Sequence, residues 1–216
     1  MMAVILEGSD GVGKTTHLRL AVQRMQRLCE RIAAAPSLNT YLTDVTGLDH
    51  LSLREWRLHK ADPDEYTRLL LAAHRWRLAE IEHYHVASIC FLDRGIRTIE
   101  AGCAALADYR KTALAAISVS LLRDEPEFLP SARVVRIALL YSRDVGLSMQ
   151  IFAQREPDAS PSYIAYQSFL QRRLIQMAES DCFDSVIWVQ DRPVQAISDQ
   201  VVSLVTEGLG RGNDGF

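Results

Sequence analysis

Residues 7–17 read EGSDGVGKTTH and follow the apolar run AVIL. Gly8, Gly13, Lys14 and Thr15 fit the spacing G-x-x-x-x-G-K-[ST], with a further glycine at Gly11. Glycines let a short backbone curl so that successive N–H groups converge on one anion. The amides of Gly8, Ser9, Gly11, Val12, Gly13, Lys14, Thr15 and Thr16 are therefore expected to cradle nucleotide phosphates. Lys14 supplies a point charge for the outer phosphates, and the Thr15 hydroxyl suits a Mg²⁺ ion. A helix starting here adds its positive N-terminal end. Asp10 inside the loop and the pair Asp93-Arg94 at the end of a later apolar run are the other chemically suggestive groups. A carboxylate in Asp93's position orients a metal ion, and Arg94 offers a planar fork for phosphate oxygens.

Those groups need a strand before the loop and a helix after it. Ala3–Leu6 is a short apolar run of the buried-strand type, and Leu18, Val22, Met25, Leu28 and Ile32 recur at helical spacing, with Arg19, Gln23, Arg27 and Glu30 between them. Further strands are expected at 37–45, 89–93, 133–141 and 185–189. Helices are expected from Pro63 into the 80s, over 97–122, and over 144–155, 162–179 and 194–206. Segment 54–60, REWRLHK, reads as an amphipathic helix face. Alternation of strand and helix implies an α/β fold, a parallel sheet of about five strands flanked by helices, with ligands beyond the strands' carboxyl ends. One domain is expected over 1–207, with a short lid at 143–161 and a flexible glycine-rich tail at 208–216.

At 216 residues and net charge −3, the chain shows no global pull toward nucleic acid or anionic membrane. Cys29, Cys90, Cys103 and Cys182 form no C-x-x-C pair and read as reduced thiols of a cytoplasmic protein. His50, His59, His74, His83 and His85 cluster in sequence, but none forms the i, i+4 pair of a helical zinc site.

With these residues in view, VILEGSDGVGKTTHLRL resembles the opening of thymidylate kinases. LLLAAHR (69–75) is similar to that family's L-L-F-A-A-D-R helix, ICFLDRGIRTIEAG (89–102) to its D-R strand end, and QDRPVQAIS (190–198) to its last strand–helix corner. The resemblance implies an ATP- and Mg²⁺-dependent kinase and a homodimer. It sets Asp10, Leu71, His74, Arg75, Arg94, Arg97 and Thr98 around a nucleotide-like small-molecule acceptor. Arg155 becomes the lid arginine, with Arg143 and Arg192 on the adenine side. The chain departs from the pattern at Leu71, His74, Gly95 and Gly102, and YLTDVTGLDH stands where the family carries R-E-P-G-G. Two other readings stay open: a kinase of a nucleoside or non-nucleotide hydroxyl, and a nucleotide-binding switch without kinase activity.

Overall fold

The computed structural model describes residues 1–28, 31–84 and 87–210. In chain order the elements are β1 (Met2–Glu7), α1 (Lys14–Met25), β2 (Ile32–Ala34), α2 (Leu38–Thr46), α3 (His50–His59), α4 (Pro63–Ile81) and β3 (Ile89–Asp93). They continue as α5 (Ile96–Arg110), α6 (Ala116–Asp124), β4 (Arg133–Leu140), α7 (Val145–Arg155), α8 (Pro161–Glu179), β5 (Ser185–Trp188) and α9 (Val194–Gly210).

All five strands pair in parallel in the order β2-β3-β1-β4-β5. β1 lies between β3 and β4, buried on both faces, which is why its sequence is continuously apolar rather than alternating. Met2, Val4 and Leu6 feed the larger core, while Ala3 and Ile5 pack on the other face with Leu78, Ile81, Cys90 and Leu92. The register sets Leu6 beside Asp93 and Glu7 beside Ala138. The loop after β1 and the turn after β3 therefore open at one sheet edge.

Four expectations about the elements need correction. Segment 37–45 is helix α2, not a strand; Leu38, Tyr41 and Leu42 are its buried residues, at the spacing of one helix face. The second strand is Ile32–Ala34, so the periodicity through Leu28 to Ile32 does not belong to one helix; α1 stops at Met25. The polar stretch at 47–50 opens α3, where the Asp49 side chain accepts from the Ser52 amide at 2.8 Å. The helix expected over 97–122 is two: Lys111 takes a left-handed conformation (φ 56°) and its amide bonds the Asp108 carbonyl, closing α5. A lysine there gives no sequence warning, because glycine is the residue usual in that conformation. Pro63 begins α4 as expected, with Asp62 accepting from the Asp64 and Glu65 amides at 2.9 and 3.1 Å. Residues 208–210, expected in the glycine-rich tail, are helical, since α9 continues through Gly210. Residues 211–216, Cys29, Glu30 and His85 lie outside the described residues. No helix among the described residues is long and apolar enough to cross a membrane.

Candidate active site

The loop between β1 and α1 is built as its glycines require. At Gly8, φ is 145° and an added Cβ would sit 2.3 Å from the Leu139 carbonyl oxygen. Only glycine lets this backbone pass so close to β4. Gly13 ends the loop with φ 95° and opens α1. Val12 is buried in the core, so its contribution to the loop is its main chain. Lys14 is only 4% exposed and donates from Nζ to the Ser9 carbonyl at 2.7 Å. It forms no ion pair among those of the described residues, and burial holds its pKa below the ordinary lysine value against the pull of Asp93 and Glu7. A buried ammonium bonded to one neutral carbonyl is a site shaped for an anion.

The register brings Asp93 to the same place. Thr15 donates from Oγ1 to Asp93 Oδ2 at 2.7 Å, while the buried Asp93 Oδ1 has no hydrogen-bond partner. A hydroxyl and a carboxylate with an unused oxygen form a donor set that fits a hard divalent cation such as Mg²⁺. Arg94, next in sequence, stands in the left-handed region at φ 66°. That strained backbone turns its guanidinium inward, to the Asn39 Oδ1 at 2.9 Å and to the Asp10 carboxylate.

Asp10 is the meeting point of the site. Besides Arg94, it accepts from the Tyr163 hydroxyl and from Gln167 Nε2 at 3.0 Å, while its carbonyl accepts from the Tyr141 hydroxyl at 3.0 Å. Ser9 donates from Oγ to Gln171 Oε1 at 3.0 Å. Tyr163, Gln167 and Gln171 recur every four residues on α8, so one helix face grips two successive loop residues. α8 starts cleanly with Ser160 as cap and Pro161 in its first turn. Sequence reasoning missed this face, although two glutamines spaced i, i+4 within an otherwise apolar stripe were a readable signal.

Glu7 is the second group not foreseen. It is fully buried, and one of its oxygens, Oε2, accepts from the Gly95 amide at 2.9 Å, the Thr98 amide at 3.0 Å and the Thr98 hydroxyl. Gly95 caps α5 but has no side chain, so β1 supplies the cap from across the sheet. Burial, opposed by those hydrogen bonds, raises the Glu7 pKa above its ordinary value. Thr98 also accepts from the Gly8 amide at 3.1 Å, linking the α5 start to the loop. Arg77, fully buried, donates to the Asp93 carbonyl at 2.9 Å and supports the strand end from behind.

Beside Asp10 opens a cavity of about 360 Å³, lined among others by Asn39, His50, Arg54, Arg57, Tyr66 and Tyr163. A smaller recess of about 30 Å³ joins Arg94 and Thr98 to Leu70 and Tyr166. Several residues expected at the acceptor line neither cavity. Arg75 forks onto Glu125, with Nε and Nη2 within 3.0 Å of its oxygens, and lines neither cavity. His74 is fully buried between the Pro126 carbonyl (3.0 Å) and Arg77 (2.9 Å), and burial lowers its pKa to about 4. Leu71 is 2% exposed within the core. In each case α4 turns the residue toward a neighbouring element, and Leu70 is the one that lines the recess. Arg97 pairs with Glu100 at 3.0 Å on its own helix. Thr98 lines the recess, but its hydroxyl is engaged by Glu7 and Gly8.

On the far side of the loop, Arg155 ends α7 and donates to the Gly11 carbonyl at 3.3 Å, lying over the Tyr141 ring. The expected lid is thus mostly helix α7, followed by a short turn into α8. Arg143 lies 5.4 Å over the Trp188 ring and Arg192 donates to Gln200 at 2.8 Å, both on segments leaving the carboxyl ends of β4 and β5. Thr16 is exposed in the first turn of α1.

This sheet order, with a glycine loop after β1 and a carboxylate ending β3, is the P-loop kinase fold. A thymidylate kinase from Ehrlichia chaffeensis shares it, with a TM-score of 0.60 at 14% sequence identity, over 94% of this chain and 98% of that one. No family model matches the chain. No curated protein matches it either.

Proposed function

We propose that the protein is an ATP- and Mg²⁺-dependent phosphotransferase that passes a γ-phosphoryl group to a nucleoside monophosphate or a related small molecule. The observation that carries this reading is the buried Lys14, held by one neutral carbonyl, beside an Asp93 oxygen without a partner, both at the mouth of a glycine loop. Mg²⁺, bound with the nucleotide, would supply charge compensation at the phosphates. Thr15 and Asp93 are the residues that would hold it. Lys14 and the loop amides bind and orient the donor phosphates. Arg155, beside Gly11, compensates charge that spreads over the phosphoryl oxygens. Arg94 holds the acceptor end, and Asp10, fixed by α8, offers its carboxylate to an acceptor hydroxyl.

A second reading, a kinase of a nucleoside or other alcohol, is favoured by one observation: Arg75 is committed to Glu125 and does not face the cavity. ADP release measured over a panel of nucleoside monophosphates, nucleosides and simple alcohols separates the two. Turnover only with phosphorylated acceptors supports the first reading, and turnover only with unphosphorylated ones supports the second. No ADP release with any of them, in a protein that binds nucleotide, favours a switch.

A further inference from the structure

The cavity beside Asp10 holds more positive charge than it neutralises. Arg54 and Arg57, three residues apart on α3, both line it. The Arg54 guanidinium lies 3.9 Å over the Tyr163 ring. Arg57 lies 4.6 Å over Tyr166 and donates to the Tyr66 hydroxyl at 3.3 Å, and its buried Nε has no hydrogen-bond partner. Neither arginine forms an ion pair among the described residues. The nearby acids are engaged elsewhere: Asp49 caps α3, Asp62 caps α4, and Glu55 pairs with His59. Asp10, the acid lining the cavity, already carries Arg94. Three guanidiniums around one carboxylate leave two positive charges without a counter-charge. Ring faces compensate a partly desolvated guanidinium only in part.

We infer that Arg54 and Arg57 are specificity-determining residues which clamp a dianionic phosphate group on the acceptor, in the place that Arg75 leaves empty. The inference rests on the phosphotransferase reading for the word acceptor, but the anion site stands on the charge count and geometry of the cavity. Guanidinium forks match phosphate oxygens in pairs, which a point charge does not. Stacking on Tyr163 and Tyr166 holds the two forks ready, so little order has to be imposed when the anion enters. α3 would thus read the acceptor, while the segment after β2 contributes the neutral groups Ser37 and Asn39 to the same cavity.

The test is calorimetric. The loop is first saturated with the magnesium complex of a non-hydrolysable ATP analogue. Inorganic phosphate, ribose 5-phosphate and the common nucleoside 5′-monophosphates are then titrated, alongside ribose and the matching nucleosides. At least one phosphate-bearing probe is expected to bind and its unphosphorylated partner not to. Arg54→Gln and Arg57→Gln should each weaken that binding about tenfold or more, with Arg54→Lys recovering only part. Arg54, whose guanidinium rests on the Tyr163 ring, carries the test alone if Arg57→Gln does not fold. Equal binding of phosphorylated and unphosphorylated probes, unchanged affinity in the variants, or no phosphate probe bound at all would overturn the inference. Failure of the analogue itself to bind would instead sink the phosphotransferase reading, and phosphate titrations of wild type against variants would still decide the arginine pair.

Discussion

Glu7 gives the sharpest test of how the site is held together. Replacing it with alanine strands the Gly95 and Thr98 amides in a fully buried place, at 2.9 and 3.0 Å from an oxygen that is gone. Each buried donor left without a partner costs about 1–3 kcal/mol, and the removed side chain leaves a cavity. Glu7→Ala should therefore cost about 4–6 kcal/mol, a large share of the roughly 5–15 kcal/mol typical of a domain. For a chain of this size that corresponds to a fall in Tm of roughly 10–20 °C. Glu7→Gln keeps an acceptor oxygen and should cost much less. Its cost should also depend on pH. The folded Glu7 pKa lies above the ordinary 4.5, so the folded state retains the proton longer than the unfolded chain. That contribution is complete below 4.5 and is lost as pH rises through the folded value. Glutamine has no such loss, so its disadvantage against wild type should shrink, or reverse, between pH 4 and pH 8. Urea unfolding of the three proteins across that range measures both effects. A Glu7→Ala penalty under about 1 kcal/mol, or a glutamine penalty that grows with pH, would refute the reasoning.

Three further outcomes are expected. Gly8→Ala should lower stability and remove nucleotide binding together, because its Cβ would meet the Leu139 oxygen at 2.3 Å; thermal melting and a nucleotide titration check it. If the proposed function holds, Arg155→Ala should reduce kcat about a hundredfold or more while nucleotide affinity changes little, its guanidinium being proposed to compensate charge on the transferring group; steady-state ADP release reads the split. Arg75→Ala should leave the acceptor KM within about twofold yet lower Tm, because its partner Glu125 has a side chain only 1% exposed and would lose its counter-charge.

Much of the site was legible because it sits on one continuous stretch. Gly8 to Thr15 are fixed by spacing alone, and the apolar run ending in Asp93 marks a strand that must deliver its carboxylate to the sheet edge. Less legible was whatever depends on helix rotation. Arg75 and Arg77 lie two apart on α4 and face different neighbours, and nothing in LLLAAHRWR says which turns to the strand end. The α8 face was harder to read for a related reason: Gln167 and Gln171 interrupt an apolar stripe, but only the helix laid against Ser9 and Asp10 shows what they bind. The second strand was missed because only three residues, Ile32–Ala34, pair with β3. Periodicity needs a longer run than that to speak.

In the proposed function Lys14, buried and bonded to one neutral carbonyl, binds the triphosphate of ATP. Calorimetric titration of the wild-type protein and of Lys14→Met with ATP at saturating Mg²⁺ tests it most directly, methionine keeping most of the buried volume without the charge. Wild type should bind with micromolar-range affinity, on the order of −8 kcal/mol, and the variant should lose at least about tenfold. Equal affinity in both proteins, or no heat in either, would contradict it.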